Sequence, residues 1–233
     1  MDKSQHIIQI LKNNRDFFAR VVDVELSDAN VHVFDLTENN EDLLRMDLDD
    51  TEAFSAYIFN TLTHTRKKIG VGGYMEDRLI YKRSRHFDNQ GEPRSIHLGI
   101  DLWIEAGTPV YSPLPGIVHS FKNNNTFGDY GATLILEHLI EGETFYTLYG
   151  HLSLDSITDK EKGQQIRRGD KIATLGNPEE NGGWPAHLHF QVITDMLGNE
   201  GDFPGVAPPS ATEYFHKLCV DPNLILKINA LKK

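Results

Sequence analysis

The stretch HLGIDLW, residues 97–103, indicates which kind of fold this chain forms. Apolar and polar residues alternate along it, which is typical of a β-strand that lays one face on a core. Two further stretches show a similar alternation of apolar and polar residues, TLYGHLS at 147–153 and AHLHFQV at 186–192. All three contain histidine, so the predicted strands also hold the polar residues of a candidate site.

Short β-type runs separated by Gly, Pro and Asn turns continue from about residue 71 onward. They predict a mainly β, α+β fold, with a folded antiparallel, barrel-like sheet in a core domain of residues 71–233. Two pieces resemble each other, AGTPVYSPLPGIV at 106–118 and RRGDKIATLG at 167–176. Each places a glycine turn before a strand that enters a tight corner, as in folded-over sheets. A last helix is expected near residues 210–218.

Residues 1–70 are predicted to form a separate α+β extension. Residues 1–18 have apolar positions at helical spacing, and 21–36 alternate around a turn-like SDAN, which indicates a hairpin. A second helix is expected within 47–68, capped by Asp50 or Thr51.

The acidic composition and the single cysteine exclude several classes of protein. A formal net charge of −11 makes the chain a poor candidate for binding nucleic acid or an anionic membrane. Cys219 is the only cysteine, so neither an internal disulfide nor a cysteine-based zinc site can form. The first residues lack the pattern of a signal peptide, and we expect a cytoplasmic protein unless an export segment precedes them. The oligomeric state is left open.

Five polar residues of the predicted strands could meet at one site: His97, Asp101, His151, His187 and His189. Residues two or four apart on a strand share a face, so His97 and Asp101 are expected to point the same way, with Gly99 leaving space between them. His187 and His189 share a face for the same reason. Imidazole and carboxylate suit zinc, and a catalytic zinc takes three protein ligands and keeps one position for water. Spacing alone leaves open which three bind. A lone histidine on a strand is more often a core or surface residue than a ligand, and we interpret six of the seven remaining histidines as structural or surface residues: His6, His32, His64, His86, His119 and His138.

At these residues the sequence resembles the lysostaphin-type zinc endopeptidases, many of which cut peptidoglycan cross-bridges. The resemblance covers roughly residues 92–195 and rests on HLGIDL, AGTPVYSPLPGIV, YGHLS, GDKIATLG and HLHFQV. It implies the sheet core of those peptidases and a single zinc ion. By position, it implies these ligands and unbound catalytic histidines: His97, Asp101 and His189 for zinc, and His151 and His187 for catalysis.

Three further motifs, GGWPAHLHFQVITD, GDFPGV and DPNLIL, resemble a narrower branch of that family. In that branch, similar domains are also found fused between a kinase-like domain and a class III aminotransferase. The substrate of those domains does not follow from the resemblance.

The resemblance implies a zinc metallopeptidase that hydrolyses a peptide or amide bond through a metal-bound water, with a peptide or peptidoglycan-like substrate. Two alternatives stay open: a cytosolic zinc hydrolase of a small amide, and a binding module that retains metal without turnover. Tyr149 and Trp184 flank the site histidines and are candidates for substrate binding, although packing roles suit them equally. Arg78 precedes the core and could reach the site.

Overall fold

The computed structural model describes residues 2–83, 87 and 92–232 of the chain. His86, one of the histidines interpreted as structural or surface residues, lies outside the described residues. His138 is buried, and its ring nitrogens bond the Pro115 carbonyl and the Thr147 hydroxyl, which fits the predicted structural role.

Strands make up most of the regular structure. The strands are β1 (Val31–Val33), β2 (Ile69–Gly72), β3 (Ile96–His97), β4 (Ile100–Trp103), β5 (Pro109–Tyr111), β6 (Gly116–Asn124), β7 (Gly131–Ile140), β8 (Glu143–Leu152), β9 (Gln165–Ile166), β10 (Lys171–Thr174), β11 (His187–Ile193), β12 (Val206–Ala207) and β13 (Cys219–Val220). The α-helices are α1 (Lys3–Asn13), α2 (Glu41–Arg45), α3 (Thr51–Thr65), α4 (Asp155–Thr158), α5 (Thr212–Leu218) and α6 (Asn223–Leu226). Short 3-10 helices cover Arg15–Phe17, Leu79–Arg83, Pro209–Ala211 and Asn229–Leu231.

Nine of the described strands form one sheet, in the order β1-β2-β4-β11-β8-β7-β6-β9, with β13 also paired to β11. All of its pairs are antiparallel except β1 with β2, which is parallel. The two end strands, β1 and β9, do not pair with each other in the described part of the chain, so the sheet is open and no barrel closes. The predicted sheet-dominated α+β fold with an antiparallel core is confirmed.

Two small antiparallel pairs lie beside the main sheet, β5 with β10 and β3 with β12. The first joins the two pieces of sequence that resemble each other, since β5 lies in residues 106–118 and β10 in residues 167–176. The two similar pieces thus contribute the two strands of one antiparallel pair.

The N-terminal helices agree with the prediction. Helix α1 buries Ile7, Ile10 and Leu11, and the Asp50 side chain caps α3 by accepting from two backbone N–H groups of its first turn. Helix α5 lies within the predicted stretch 210–218.

The predicted hairpin at residues 21–36 is wrong. A turn does form there, because the amides of Asn30 and Val31 bond the Ser27 carbonyl. The first limb, however, bridges to β5 through Val22 and Val110 instead of pairing with β1. Val22 is thereby fully buried in the main core, and that burial outweighs local strand pairing.

The main core lies on one face of the nine-stranded sheet, where side chains such as Leu102, Leu188 and Phe190 pack together. Ile7, Val22 and Val31 from the first 70 residues belong to the same core, and β2 runs across the predicted boundary between residues 70 and 71. The boundary itself stays a prediction. None of the described helices is long and apolar enough to cross a membrane.

Candidate metal centre

The pairing of β4 with β11 brings three candidate site residues to the face of the sheet opposite the main core. Asp101 lies directly across from His189, and Trp103 lies across from His187. Alternation then sends Leu188 into the main core, while His187 and His189 share the other face as predicted.

The stretch HLGIDLW is not one strand, which corrects the expectation from its alternation. β3 ends at His97 and β4 begins at Ile100, with a bend at Gly99 between them. In a straight strand, residues four apart lie about 13 Å from each other, too far to share one ion. The bend brings His97 Nε2 within 3.3 Å of Asp101 Oδ1. A Cβ on Gly99 would lie 2.7 Å from the His189 ring, so this position has room only for glycine.

Three ligand atoms converge in this bend. His97 Nε2 lies 3.0 Å from His189 Nδ1, and Asp101 Oδ1 lies 3.1 Å from His189 Nδ1 and 3.3 Å from His97 Nε2. In a tetrahedral zinc site with bonds of 2.0–2.1 Å, ligand atoms lie about 3.3 Å apart. The triangle therefore has the size of one face of such a tetrahedron, and all three residues are buried.

The outer nitrogens of both imidazoles have hydrogen-bond acceptors. His97 Nδ1 donates to the Gly73 carbonyl at 2.9 Å, and His189 Nε2 donates to Gln191 Oε1 at 2.9 Å. Gln191 is oriented in turn because its amide donates to the Pro204 carbonyl. With the ring protons on the outside, the inner nitrogens present lone pairs to the centre, as a metal requires.

Protonation favours the same arrangement. Burial, together with the positive charge of Arg78, lowers the pKa of His97 to about 3, so its inner nitrogen is a free acceptor at neutral pH. Burial alone would raise the pKa of Asp101. The guanidinium of Arg78 nevertheless holds that pKa well below its usual range, and the carboxylate stays charged.

Arg78 is a site residue whose place could not be found from the sequence. It is buried, and its Nη1 donates to Asp101 Oδ2 at 2.5 Å while its Nε donates to Glu76. The guanidinium occupies one carboxylate oxygen of Asp101 and leaves the other, Oδ1, facing the two histidines. Gly72 makes room for it, since a Cβ there would lie 2.4 Å from Arg78 Nη2.

His151 reaches this centre by way of a β-bulge in β8. Between β7 and β8 the register moves from Leu134 opposite Tyr149 to Ala132 opposite Leu152, so β8 contains one extra residue. His151 has a φ of 60°, a left-handed conformation that is uncommon outside glycine. The extra residue turns the imidazole of His151 toward the same side as His187, and the two ring centroids lie 4.0 Å apart.

His151 and His187 present equivalent atoms to the site. The Nδ1 of His151 donates to the Asn181 carbonyl, and the Nδ1 of His187 donates to the Pro185 carbonyl. Burial lowers both pKa values, that of His187 to about 4 and that of His151 well below 6.5, the latter helped by its neighbour His187. Each ring is therefore neutral at pH 7, with Nε2 available as a proton acceptor.

The bulge also places Tyr149, one of the two predicted substrate-binding residues, on the face of the sheet opposite His151. Tyr149 precedes the bulge and lies opposite Phe190, so its ring is fully buried in the main core on the other face of the sheet. It does not reach the site in this structure, and the packing role applies. Trp184 lies within ring-contact distance of His151 and His187, at 6.2 and 6.3 Å between centroids.

A cavity of about 330 Å³ lies over the centre and is lined by Asp101, His151, His187 and His189. Six aromatic residues also line it: Tyr81, Phe87, Trp103, Tyr130, Trp184 and Phe203. Such a mixture of apolar walls and a few converging polar groups is typical of ligand sites.

The structure thus brings together all of the predicted site residues except Tyr149. The sequence analysis did not find the groups that orient these residues. Gln191 follows His189 at strand spacing and could have been found from that alternation. The carbonyl groups of Gly73, Asn181 and Pro185 belong to the backbone, so their role in orienting the histidines could not be predicted from the residue types.

Comparison with known proteins agrees with the resemblance to zinc endopeptidases that the sequence motifs indicate. Residues 95–200 match Peptidase family M23. The peptidoglycan DD-endopeptidase ShyA of Vibrio cholerae is 35% identical over 97 residues, which cover 42% of this chain and 20% of ShyA. ShyB of the same organism is 38% identical over 97 residues, covering 42% of this chain and 20% of ShyB. The chain thus spans about a fifth of the length of these curated relatives.

Solved structures with similar regions include a zinc-containing peptidase from Vibrio cholerae and the catalytic domain of lysostaphin from Staphylococcus simulans. The first has 34% sequence identity and a TM-score of 0.33, and covers 42% of this chain and 27% of that chain. The second has 22% identity and a TM-score of 0.36, and covers 52% and 80%. The segment that contains His97, Asp101, His151, His187 and His189, residues 95–200, is thus the part of this chain that matches Peptidase family M23.

Proposed function

We propose that this protein is a zinc-dependent metallopeptidase-like hydrolase that cleaves an amide or peptide bond. His97, Asp101 and His189 hold one zinc ion in this proposal. The observation that carries it is the triangle of ligand atoms, 3.0–3.3 Å on each side, whose two imidazoles have their ring protons directed outward. Two imidazole lone pairs and a carboxylate oxygen at these distances repel one another unless a cation lies among them.

A bound zinc ion supplies Lewis acidity, which polarises a carbonyl group and lowers the pKa of water. The chain's own residues handle the protons. His151 and His187 both offer a neutral Nε2, so one of them accepts the proton of the attacking water. The same ring, then protonated at Nε2, passes this proton to the leaving amine. Both Nδ1 atoms are held by backbone carbonyls, which keeps the rings in this tautomer through the cycle.

The proposed substrate class is a peptide of peptidoglycan type. It is supported by the two relatives named above, which are peptidoglycan DD-endopeptidases, and by the match of residues 95–200 to Peptidase family M23.

Two measurements on purified protein test the proposal. Elemental analysis should find one zinc per chain, and incubation with a panel of Gly-rich and D-amino-acid peptides should release new amino termini. A protein with no zinc would contradict the ligand assignment. Stoichiometric zinc without cleavage of any peptide would instead favour a metal-retaining binding module.

A second candidate, hydrolysis of a small amide, is favoured by the cavity. Its volume of about 330 Å³ lies near the lower end of the range for small-molecule pockets. Adding short N-acyl amides to the same panel separates the candidates: turnover of these compounds, with cross-linked peptides left intact, would replace the peptidase proposal by this one.

A further inference from the structure

Tyr130 is a buried residue of the same cavity that the proposed mechanism does not yet use. It lies just before β7, it is 8% exposed, and it lines the cavity together with His151 and His189. Its hydroxyl is buried and has no hydrogen-bond partner among the described residues.

The backbone fixes Tyr130 relative to one of the two catalytic histidines. The amide of His151 donates to the Tyr130 carbonyl at 2.8 Å, and the Tyr130 amide donates to Asp129 Oδ1 at 2.7 Å. The Tyr130 ring centroid lies 5.7 Å from that of His151 and 5.1 Å from that of His189. The phenol is therefore wedged between a zinc ligand and a proton acceptor of the proposed site.

Two glycines provide the room for this ring. A Cβ on Gly150 would lie 2.6 Å from Tyr130 Cδ1, and a Cβ on Gly205 would lie 1.9 Å from Tyr130 Oη. Neither contact is tolerable, so any larger residue at either position would displace the phenol. Gly150 directly precedes His151, which joins the space for Tyr130 to the bulge that positions the histidine.

Packing alone does not account for the hydroxyl. A buried donor without a partner costs about 1–3 kcal/mol, and phenylalanine would fill the same space without that cost. Unpaired polar groups of this kind are rare in folded proteins, and those that persist are often found at functional sites.

Resting on the function proposed above, we propose that the Tyr130 hydroxyl donates a hydrogen bond to the carbonyl oxygen of the substrate amide. The bond strengthens as the carbonyl carbon becomes tetrahedral and negative charge collects on that oxygen. No proton leaves the phenol. The water oxygen bonds to the carbonyl carbon, a histidine takes the water proton, and the C–N bond breaks as the amine nitrogen gains a proton.

The test compares Tyr130→Phe with the wild-type protein and with a matched control, Tyr146→Phe. Tyr146 lies on β8 at a half-buried position outside the cavity, so its change removes a hydroxyl from the strand that carries His151 but not from the site. Each protein is loaded with zinc, and its metal content and melting temperature are measured. Each is then titrated calorimetrically with a phosphinic analogue of D-Ala-D-Ala, which carries a tetrahedral anionic centre in place of the planar amide.

We expect Tyr130→Phe to keep one zinc per chain and to bind the phosphinate about 10- to 100-fold more weakly, while Tyr146→Phe binds as the wild type does. For any peptide that the wild type cleaves, kcat should fall by about the same factor with KM little changed. An affinity within about threefold of wild type, or an equal loss in both variants, would overturn the inference. Loss of zinc from Tyr130→Phe would assign the residue a structural role and would overturn it too. Failure of the proposed function is distinguishable, because the wild-type protein itself would then lack zinc or would not bind the phosphinate.

Discussion

Arg78 and Asp101 form a buried ion pair in which the guanidinium Nη1 lies 2.5 Å from the carboxylate Oδ2, on the side opposite the two histidines. The pair holds the Asp101 carboxylate in one orientation, so that a single oxygen remains for the metal. Because both side chains are nearly inaccessible to solvent, neither charge can be compensated by water.

The Arg78→Met substitution should therefore destabilise the metal-free protein by about 3–5 kcal/mol, the usual cost of leaving a buried charge without its partner. Zinc bound at the site would then compensate part of the unpaired charge of the Asp101 carboxylate. Zinc should therefore raise the melting temperature of the variant by more than that of the wild type. Thermal unfolding with chelator and with zinc measures both effects. Arg45→Met is the control, since Arg45 pairs with Glu41 on the surface and its loss should cost at most about 1 kcal/mol. Equal losses in the two variants would contradict the role given to Arg78.

Zinc retention should depend on His97 and Asp101. Either His97→Ala or Asp101→Ala leaves two of the three proposed ligands, and we expect the purified variants to lose zinc on dialysis. His64→Ala, a change at an exposed position of α3, should retain one zinc per chain. Stoichiometric zinc in either ligand variant would show that the assignment is wrong.

Substitution of His187 should lower turnover without removing the zinc ion. Its Nε2 lies 3.8 Å from Asp101 Oδ1, outside the ligand triangle, so His187→Ala should keep zinc. Loss of a general acid or base typically lowers turnover by about 10²- to 10⁴-fold. Metal analysis and peptide cleavage on the same preparation check the two halves, and normal turnover would remove His187 from the mechanism.

Gly99 should be intolerant of a side chain for a reason specific to the site. In Gly99→Ala the new methyl group would lie 2.7 Å from His189 and 2.8 Å from the Phe190 carbonyl, so the imidazole must move. We expect weaker zinc binding, measured by competition with a fluorescent chelator. Gly142→Ala, in the turn between β7 and β8, is the control, because a Cβ there meets no atom within 4 Å and only the backbone strain of its positive φ is added, away from the site. Comparable zinc affinities in the two variants would refute the steric argument.

The buried ring of His138 should make the stability of the protein depend on pH, for a reason that does not involve the candidate metal centre. Burial lowers its pKa to about 4, partly opposed by the hydrogen bond to the Pro115 carbonyl. As pH falls below about 6.5 the unfolded chain takes up this proton and the folded protein does not, so stability is complete above pH 6.5 and is lost toward pH 4. The expected slope from this residue is about 1.4 kcal/mol per pH unit. Urea unfolding at several pH values and the NMR titration of the His138 ring measure it; a ring that titrates near pH 6.5 would disprove it.

Alternation and motif spacing were sufficient to predict the sheet, helices α1, α3 and α5, and the face shared by His187 and His189. The bend at Gly99 and the bulge at His151 could not be read from alternation, because each breaks the two-residue period that the prediction assumes. For the same reason Tyr149, two residues before His151, lies on the opposite face. The hairpin prediction was wrong because Val22 pairs with Val110, which is distant in the sequence. A local pattern of residues does not indicate pairing between distant segments.

The parallel pairing of β1 with β2 has a consequence for how the chain can be shortened. β2 is the neighbour of β4, the strand that holds Asp101, and β1 covers the outer side of β2. A fragment that began at residue 71 would cut β2 in half and leave the backbone N–H and C=O groups of β4 open to solvent. Uncovered strand edges of this kind recruit other chains, whereas in the intact sheet the edge is β1, a strand of three residues that offers little backbone for such pairing.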